Sequence, residues 1–273
     1  MKIEKVHAVY FSPTGTTKTV ITHLVKCITT LLPEVVTEVK DFTLPSGRKK
    51  VPDIRESELA IVGLPVYAGR LPNLLLNYLT TWQSNGAWAV PVVVYGNRSY
   101  GNALVELYDI LRYRGFHPIA AAAFVGQHSF TTRLATGRPD REDLEKAEQF
   151  SAEIVRRILQ PGEFTGIKIP GQGAPDYGGY YKPKGRDEEV VNFLKEKPVT
   201  TDACIDCRRC AKVCPMGAIR LDHPSEVSGI CIKCNACVKQ CPVHAKQLTD
   251  EAYLSHVGFL ENRYTSRARI ELF

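Results

Sequence analysis

Eight of the nine cysteines lie between Cys204 and Cys241, and Cys27 stands alone. This segment contains one spacing twice, C-x2-C-x2-C-x3-C-P, as CIDCRRCAKVCP and again as CIKCNACVKQCP. In a chain without a secretion segment, cysteines this crowded favour metal binding over disulfides. Two iron–sulfur clusters account for the third cysteine and the C-P ending of each half, and structural zinc is the alternative.

The fourth cysteine of each repeat decides how the sulfurs are shared. Three close cysteines on a tight turn take three corners of one cluster, and the fourth, followed by proline, reaches the other cluster. Over residues 200–247 the segment closely resembles the bacterial two-cluster ferredoxins, which have a small α+β fold. The expected ligands of two [4Fe–4S] clusters are Cys204, Cys207, Cys210 and Cys241 for cluster I, and Cys231, Cys234, Cys237 and Cys214 for cluster II.

A second candidate site is the sequence SPTGTTK at residues 12–18, which follows the first apolar segment. Hydroxyl groups and backbone N–H groups around a glycine, at the start of a helix, suit a terminal phosphate. The spacing is neither a Walker loop nor a dinucleotide fingerprint. A plain Ser/Thr helix cap is the alternative. The candidate phosphate-binding residues are Ser12, Thr14, Gly15, Thr16 and Thr17.

The first 160 residues alternate between two kinds of apolar pattern. Nearly continuous apolar runs predict strands, and helical periodicity predicts the segments between them. This alternation predicts an α/β fold with a parallel, doubly wound sheet. Strands are expected at residues 6–11, 35–39, 58–63, 88–95 and 118–125, and helices at 16–31, 74–83, 103–114 and 141–159.

The pattern S-x-T-G-x-T after the first strand resembles the flavodoxin family, over residues 5–159. The resemblance implies a five-stranded sheet of order 2-1-3-4-5 that binds FMN beyond the carboxyl ends of its strands. Tyr100 matches the flavin-stacking tyrosine of the family, and Asn97 its nearby acidic position. Ala68 stands where many flavodoxins have glycine. Two further loops are implied in binding, with Pro65, Val66, Tyr67, Ala68 and Gly69 in the first, and Asn97, Arg98, Tyr100, Gly101 and Asn102 in the second.

Composition predicts four segments along the chain. Residues 1–160 form the FMN domain and 199–248 the ferredoxin domain. Between them, 161–198 is a linker rich in Pro, Gly and Tyr, with a short helix expected at 187–195. Residues 249–273 form a C-terminal helix and tail. The linker aromatics, which are expected to lie along a surface, are Phe164, Tyr177, Tyr180 and Tyr181.

The whole chain resembles flavodoxin–ferredoxin fusion proteins, found mainly in anaerobes. The resemblance implies electron transfer between a low-potential donor, the two clusters and FMN. The partner is then a redox protein, a ferredoxin-type donor or acceptor. The alternative is an FMN-dependent reductase of a small acceptor such as a quinone, a nitro compound or a metal complex. His128, after the fifth strand, is a candidate proton donor, with a hydrogen-bonded loop histidine as the alternative.

Charge and hydropathy narrow the possible partners. The net charge of +6 is divided as +4 over residues 1–160 and +2 over 161–273, without the dense basic face of a nucleic-acid binder. No apolar run approaches the ~18 residues of a membrane helix. A cytoplasmic protein is therefore expected, because cluster thiolates need a reducing compartment. Cys27, on the first predicted helix, is expected to be a small packed residue.

Overall fold

The computed structural model describes residues 3–160, 162, 166–174 and 176–273. Its main sheet has the order β2-β1-β3-β4-β6, and these strands run parallel. This order is the flavodoxin-like one, so the predicted fold class is confirmed. The strands are β1 (Lys5–Tyr10), β2 (Val36–Asp41), β3 (Glu58–Pro65), β4 (Trp88–Tyr95), β5 (His117–Pro118) and β6 (Ala122–Val125).

The fifth predicted strand is divided in two. β5 and β6 both pair with β4, and the Ile119 N–H still donates to the Ala89 carbonyl at 3.0 Å, so pairing with β4 is interrupted only after Ile119. The N–H of Ala121 is instead bonded to the carbonyl of Phe273, at 3.1 Å. The last residues thus supply β9 (Glu271–Leu272), which runs antiparallel to β6 at the sheet edge.

Helices cover both faces of the sheet. One core lies under α1 (Thr16–Leu31) and α4 (Arg141–Leu159). The other lies under α2 (Asn73–Leu79) and α3 (Ala103–Tyr113). β1, β3 and β4 are apolar and buried nearly throughout, as expected of parallel strands covered on both faces.

The cysteine-rich part has short elements and a small core. β7 (Val199–Thr200) pairs antiparallel with β8 (Lys246–Gln247). Two four-residue helices, α5 (Arg209–Lys212) and α6 (Ala236–Lys239), each carry the third cysteine of a repeat. Helix α7 (Glu251–Arg263) follows. One small core cluster here has five buried residues, two of them cysteines, so few apolar side chains stabilise this part.

The prediction of a short helix at residues 187–195 is wrong, because the structure has no helix there. Gly185 N donates to the Glu189 carbonyl at 2.8 Å, and Glu188 lies in the left-handed region with φ 66°. The side chain of Asp187 accepts from the Glu189 N–H at 3.1 Å. Lys184 then forms an isolated bridge with Val190. These local bonds make a turn, and they compete with helix formation.

Two other sequence predictions concern the linker residue Phe164 and the absence of a membrane helix. Phe164 lies outside the described residues. Among the helices of the described residues, none combines the length and apolar character needed to cross a membrane.

Candidate functional site

The eight clustered cysteines surround two recesses. The recesses are similar in size, about 360 and 330 Å³ of free space including their open sides. Each is lined by four cysteines, and these are the two sets that the repeat predicts. One recess contains Cys214, Cys231, Cys234 and Cys237, and the other contains Cys204, Cys207, Cys210 and Cys241.

The backbone repeats as the sequence does. Asp206 and Lys233 occupy equivalent positions and lie in the left-handed region, with φ 49° and 57°. Arg208 and Asn235, also equivalent, have φ 60° and 59° and precede α5 and α6. These tight turns bring three cysteines of each repeat to one recess.

Backbone N–H groups point at the fourth cysteine of each repeat. Ala218 N donates to Cys214 Sγ at 3.2 Å, and Ala245 N donates to Cys241 Sγ at 3.1 Å. Hydrogen bonds to cluster sulfurs are one way in which a protein sets a cluster potential. The two repeats therefore offer nearly the same sulfur environment at these corners.

The buried sulfurs need a cation to become thiolates. Burial raises the pKa of the Cys234 and Cys237 thiols to about 12. A metal replaces the proton and deprotonates such thiols outright. Lys246, which is 2% exposed, lines the recess of Cys204 and donates its Nζ to the Ser225 carbonyl at 2.9 Å. The donor set fits two clusters, and Lys246 would offset part of the negative charge of a cluster held in the Cys204 recess.

The loop at residues 12–18 joins the carboxyl end of β1 to α1. Gly15, with φ 88°, precedes the helix and provides no side-chain cap. Ser12 Oγ accepts from the Lys18 N–H at 2.9 Å. The Ser12 hydroxyl therefore acts as a helix cap, which was the alternative to phosphate binding. In the described residues, the N–H groups of Thr16 and Thr17 have no acceptor, and the first helical turn has no acidic side chain. The loop therefore fits an anion.

The loops after β3 and β4 meet at the same sheet edge. Tyr67 and Arg70 exchange two backbone hydrogen bonds, at 2.9 and 3.0 Å, around the left-handed residues Ala68 and Gly69. A Cβ on Gly101 would lie 2.5 Å from the Gly69 carbonyl oxygen, so this approach requires glycine. Val66 N, by contrast, bonds the β4 carbonyl of residue 94 at 2.9 Å and continues the sheet.

The polar atoms of Asn97 and Tyr100 bind the C-terminal segment. The Asn97 amide donates to the Tyr264 carbonyl at 2.6 Å and accepts from the Ala268 N–H at 3.1 Å. Tyr100 Oη donates to Glu271 at 2.7 Å. Both residues lie in the expected loop. Because their side-chain polar atoms are already hydrogen-bonded, only the Asn97 backbone and the Tyr100 ring are left to contact a ligand.

Solved structures similar to the chain include three flavodoxins. An archaeal flavodoxin is 16% identical, with 57% of this chain and 99% of that chain covered and a TM-score of 0.40. The flavodoxin of Streptococcus pneumoniae TIGR4 is 19% identical, with 56% of this chain and 99% of that chain covered and a TM-score of 0.40. Flavodoxin 2 of Bacillus cereus is 15% identical, with 56% of this chain and 99% of that chain covered and a TM-score of 0.41. The assignment of the fold itself rests on the strand order.

No curated protein matches the sequence. Residues 203–245 match the family model of the 4Fe-4S dicluster domain. The chain is a fusion of a flavodoxin-like domain with a 4Fe-4S dicluster domain. The match extends from just before the first clustered cysteine to just after the last one.

In this fusion, the turn between Cys231 and Cys234 packs on the flavodoxin-like domain. Ile232 contacts the core under α2 and α3. Burial raises the pKa of Tyr67 well above the usual range, and Cys234 and Cys231 are close enough to raise it further. Asn235 Nδ2 donates to the Ser129 carbonyl at 3.2 Å. The buried recess thus adjoins the loop after β3.

His128 of the fusion lies between the two domains as a neutral imidazole. Its Nδ1 accepts from the Phe130 N–H at 3.1 Å, and its carbonyl accepts from Lys239 Nζ at 2.9 Å. Burial, followed by the positive charges of His256, Lys239 and Arg98, lowers its pKa to about 3. These contacts favour the hydrogen-bonded loop histidine over the proton donor.

The neutral state of His128 makes stability depend on pH. In the unfolded chain this histidine has a pKa of about 6.5, whereas in the folded protein its pKa is about 3. Between these two pH values the unfolded state therefore binds one more proton than the folded state. Stability therefore rises with pH through this window and falls on acidification. Between pH 7 and pH 5, the proton uptake of unfolded His128 should lower the unfolding free energy of the wild type by about 2 kcal/mol. The His128→Leu variant should not show this loss.

Anaerobic denaturant titrations at pH 7, 6 and 5 measure this difference. The matched control is His117→Leu, because His117 is exposed, and it should follow the wild type. Equal pH slopes for wild type and His128→Leu would contradict a His128 imidazole that stays neutral in the folded protein.

Sequence reasoning missed Glu106, a buried carboxylate in the first turn of α3. Its side chain is 3% exposed and accepts from Arg70 Nε and Nη2 at 2.9 and 2.7 Å. It also accepts from the Leu71 N–H at 2.9 Å. The signal was a glutamate within the apolar run ALVEL at the start of α3, since a buried charge needs a partner. Glu106 thus fixes the loop after β3.

The linker tyrosines lie over the two loops. The Arg70 guanidinium lies 5.1 and 5.3 Å from the ring centroids of Tyr177 and Tyr180. Tyr181 N donates to the Ala68 carbonyl at 2.8 Å, and Arg98 lies 3.9 Å over the Tyr181 ring. This part of the linker therefore follows a surface, at the edge where the loops meet.

Proposed function

We propose that this fusion transfers electrons between a protein partner, two [4Fe–4S] clusters and FMN. The observation that carries the proposal is the packing of Ile232, in the Cys231 turn, on the flavodoxin-like core, with Cys231 and Cys234 close enough to Tyr67 to raise its pKa. Electron transfer weakens steeply with distance, so a cluster site that adjoins a flavin site is productive. Joining both sites in one chain also keeps them at high effective concentration.

Exposure gives the two recesses different roles. Cys204 and Cys207 are exposed, whereas Cys234 and Cys237 are buried. A partner protein can approach the first pair but not the second. We therefore assign exchange with the partner to the Cys204 recess, and internal transfer to the Cys234 recess. Flow in either direction fits this order.

FMN would be held at the edge where the three loops meet. The N–H groups of Thr16 and Thr17 and the hydroxyls of Ser12 and Thr14 would hold its phosphate. The Tyr100 ring and the backbone of Ala68 and Gly69 would hold the flavin ring. Bound there, FMN supplies exchange of one or two electrons, while the chain contributes binding, orientation and tuning.

Packing around His128 favours the carrier over the small-molecule reductase. The reductase reading expects His128 and Phe130 to form a pocket above the flavin. The Phe130 ring instead packs against Tyr253 and Phe193, with centroids 5.0 and 6.3 Å away. His128 packs on Phe130 at 5.2 Å. This packing supports a role for these side chains in joining the two domains.

The proposal is tested by an anaerobic redox titration followed by visible absorbance and EPR together. The expected result is two cluster signals and a flavin that is reduced in two separated one-electron steps. A flavin that takes both electrons in one step would support the reductase instead. Protein supplied with iron, sulfide and FMN that binds none of them would overturn the proposal.

The charge beside the exposed recess predicts the character of the partner. Arg208 and Arg209 line this recess and are exposed. Positive charge there attracts an acidic redox protein. In the double variant Arg208→Glu with Arg209→Glu, we expect reduction by an acidic ferredoxin to slow roughly ten-fold or more at low salt. Reduction by photoreduced deazaflavin, a small probe, should change much less.

Stopped-flow absorbance at low and high salt measures both rates. Arg141→Glu is the control, since Arg141 is 93% exposed on the flavodoxin-like domain. An equal slowing by the control would mean that net charge, and not this surface, governs the rate.

A further inference from the structure

Three ligand-type side chains meet outside the redox sites, on the opposite face of the sheet from α2 and α3. His23 and Cys27 are one helical turn apart on α1, and Glu148 lies on α4. Side chains at this spacing share a helix face. One nitrogen, sulfur or carboxylate oxygen from each lies within 4.8 Å of the others.

His23 Nε2 provides a second, independent observation. This nitrogen is shielded from solvent and has no hydrogen-bond partner in the described residues. The Glu148 carboxylate lies 3.5 Å away, beyond a normal hydrogen bond to a ring nitrogen. A buried polar atom without a partner is unfavourable. A cation between the two groups would satisfy both.

We propose that His23, Cys27 and Glu148 bind one zinc-type divalent cation. Zinc accepts nitrogen, sulfur and oxygen ligands, and three protein ligands leave one position for water. Magnesium and calcium prefer oxygen sites, so this mixed set selects against them. On binding, the Cys27 thiol releases its proton to solvent, and the thiolate and carboxylate together balance the two positive charges.

The ion would join α1 to α4, which pack on the same core. Because the ligands come from two helices, the complete site exists only in the folded domain, and binding stabilises it. Saturating zinc should therefore raise the melting temperature of the flavodoxin-like domain by several degrees. The proposal depends on neither FMN nor the clusters.

The test uses the cluster-loaded full chain, kept anaerobic, with its iron and sulfide content measured first. Zinc is added against a chromophoric chelator of known affinity, and the bound metal is examined by X-ray absorption. We expect one zinc per chain with one sulfur ligand and the rest nitrogen or oxygen. Zinc in a damaged cluster site would show several sulfur ligands.

Three variants separate the site from adventitious binding. Cys27→Ala and Glu148→Gln should each weaken zinc binding by at least about ten-fold, the scale reached even by outer-shell partners. Lys26→Ala, an exposed neighbour on α1, should bind as the wild type does. Affinity that Cys27→Ala leaves unchanged, or zinc with several sulfur ligands, would overturn the proposal. So would a wild type that binds no zinc.

Discussion

The Cys234→Ala variant is expected to lose one cluster and to disconnect the other from the flavodoxin-like domain. Cys234 is buried in the recess that adjoins Tyr67. Without its sulfur, iron should fall from about eight to about four atoms per chain. Reduction of bound FMN by a protein donor should then slow by about 100-fold or more, because the site next to the flavin is lost.

Cys207→Ala is the matched variant in the exposed recess. It should lose the same amount of iron and destabilise the same domain, because metal binding is coupled to folding there. It should differ in one respect: electrons introduced at the buried recess should still reach FMN, while uptake from the partner slows. Iron analysis, EPR and flash photolysis distinguish these results.

Either variant can contradict the assignment. Full iron content in Cys207→Ala or Cys234→Ala, with an unchanged melting temperature, would mean that the sulfur is not a ligand. Fast reduction of FMN in Cys234→Ala would mean that electrons bypass the buried recess.

Local sequence signals predicted the architecture. The cysteine repeat and its prolines are contiguous, so they could be read without any fold, and residues 203–245 match the dicluster family model. The parallel sheet was predictable because strands buried on both faces are apolar throughout. The loops of Gly15, Gly69 and Gly101 follow these strands directly, and parallel strands bring them to one edge.

Long-range pairing could not be predicted in the same way. β9 has two residues, Glu271 and Leu272, too few to show a period. Asn97 was predicted as a ligand-binding residue because its position matched a family pattern. In the structure its side-chain amide binds the C-terminal segment, and it donates to the Ser266 carbonyl at 2.9 Å, 169 residues away in sequence. Only tertiary structure reveals such a partner.

The packing of the Cys231 turn on the flavodoxin-like domain was equally hidden. Tyr67 and Cys231 belong to different segments, and neither has a local signal for the other. The predicted helix at residues 187–195 failed for a different reason, since local hydrogen bonds of Asp187 and Gly185 form a turn in place of the helix. The sequence thus predicted candidate site residues, while only the structure shows which of them lie together.

Glu106→Ala is expected to cost about 3–5 kcal/mol of unfolding free energy, because it leaves the Arg70 guanidinium buried without its carboxylate. Arg70 and Glu106 are 13% and 3% exposed and form two hydrogen bonds. The Leu71 N–H loses its acceptor as well. Since Arg70 also contacts Tyr177 and Tyr180, the linker should become sensitive to protease. Anaerobic chemical denaturation and limited proteolysis measure both effects.

The exposed pair of Arg141 and Glu145 provides the control. These residues are 93% and 52% exposed, so Glu145→Ala should cost less than about 1 kcal/mol. Glu106→Gln should lie between the two, because its amide oxygen still accepts from the Leu71 N–H while the charge is lost. If Glu106→Ala cost no more than Glu145→Ala, the ion pair would not be what orders the loop after β3. If the loss appeared but FMN affinity did not fall, that loop would not form part of the flavin site.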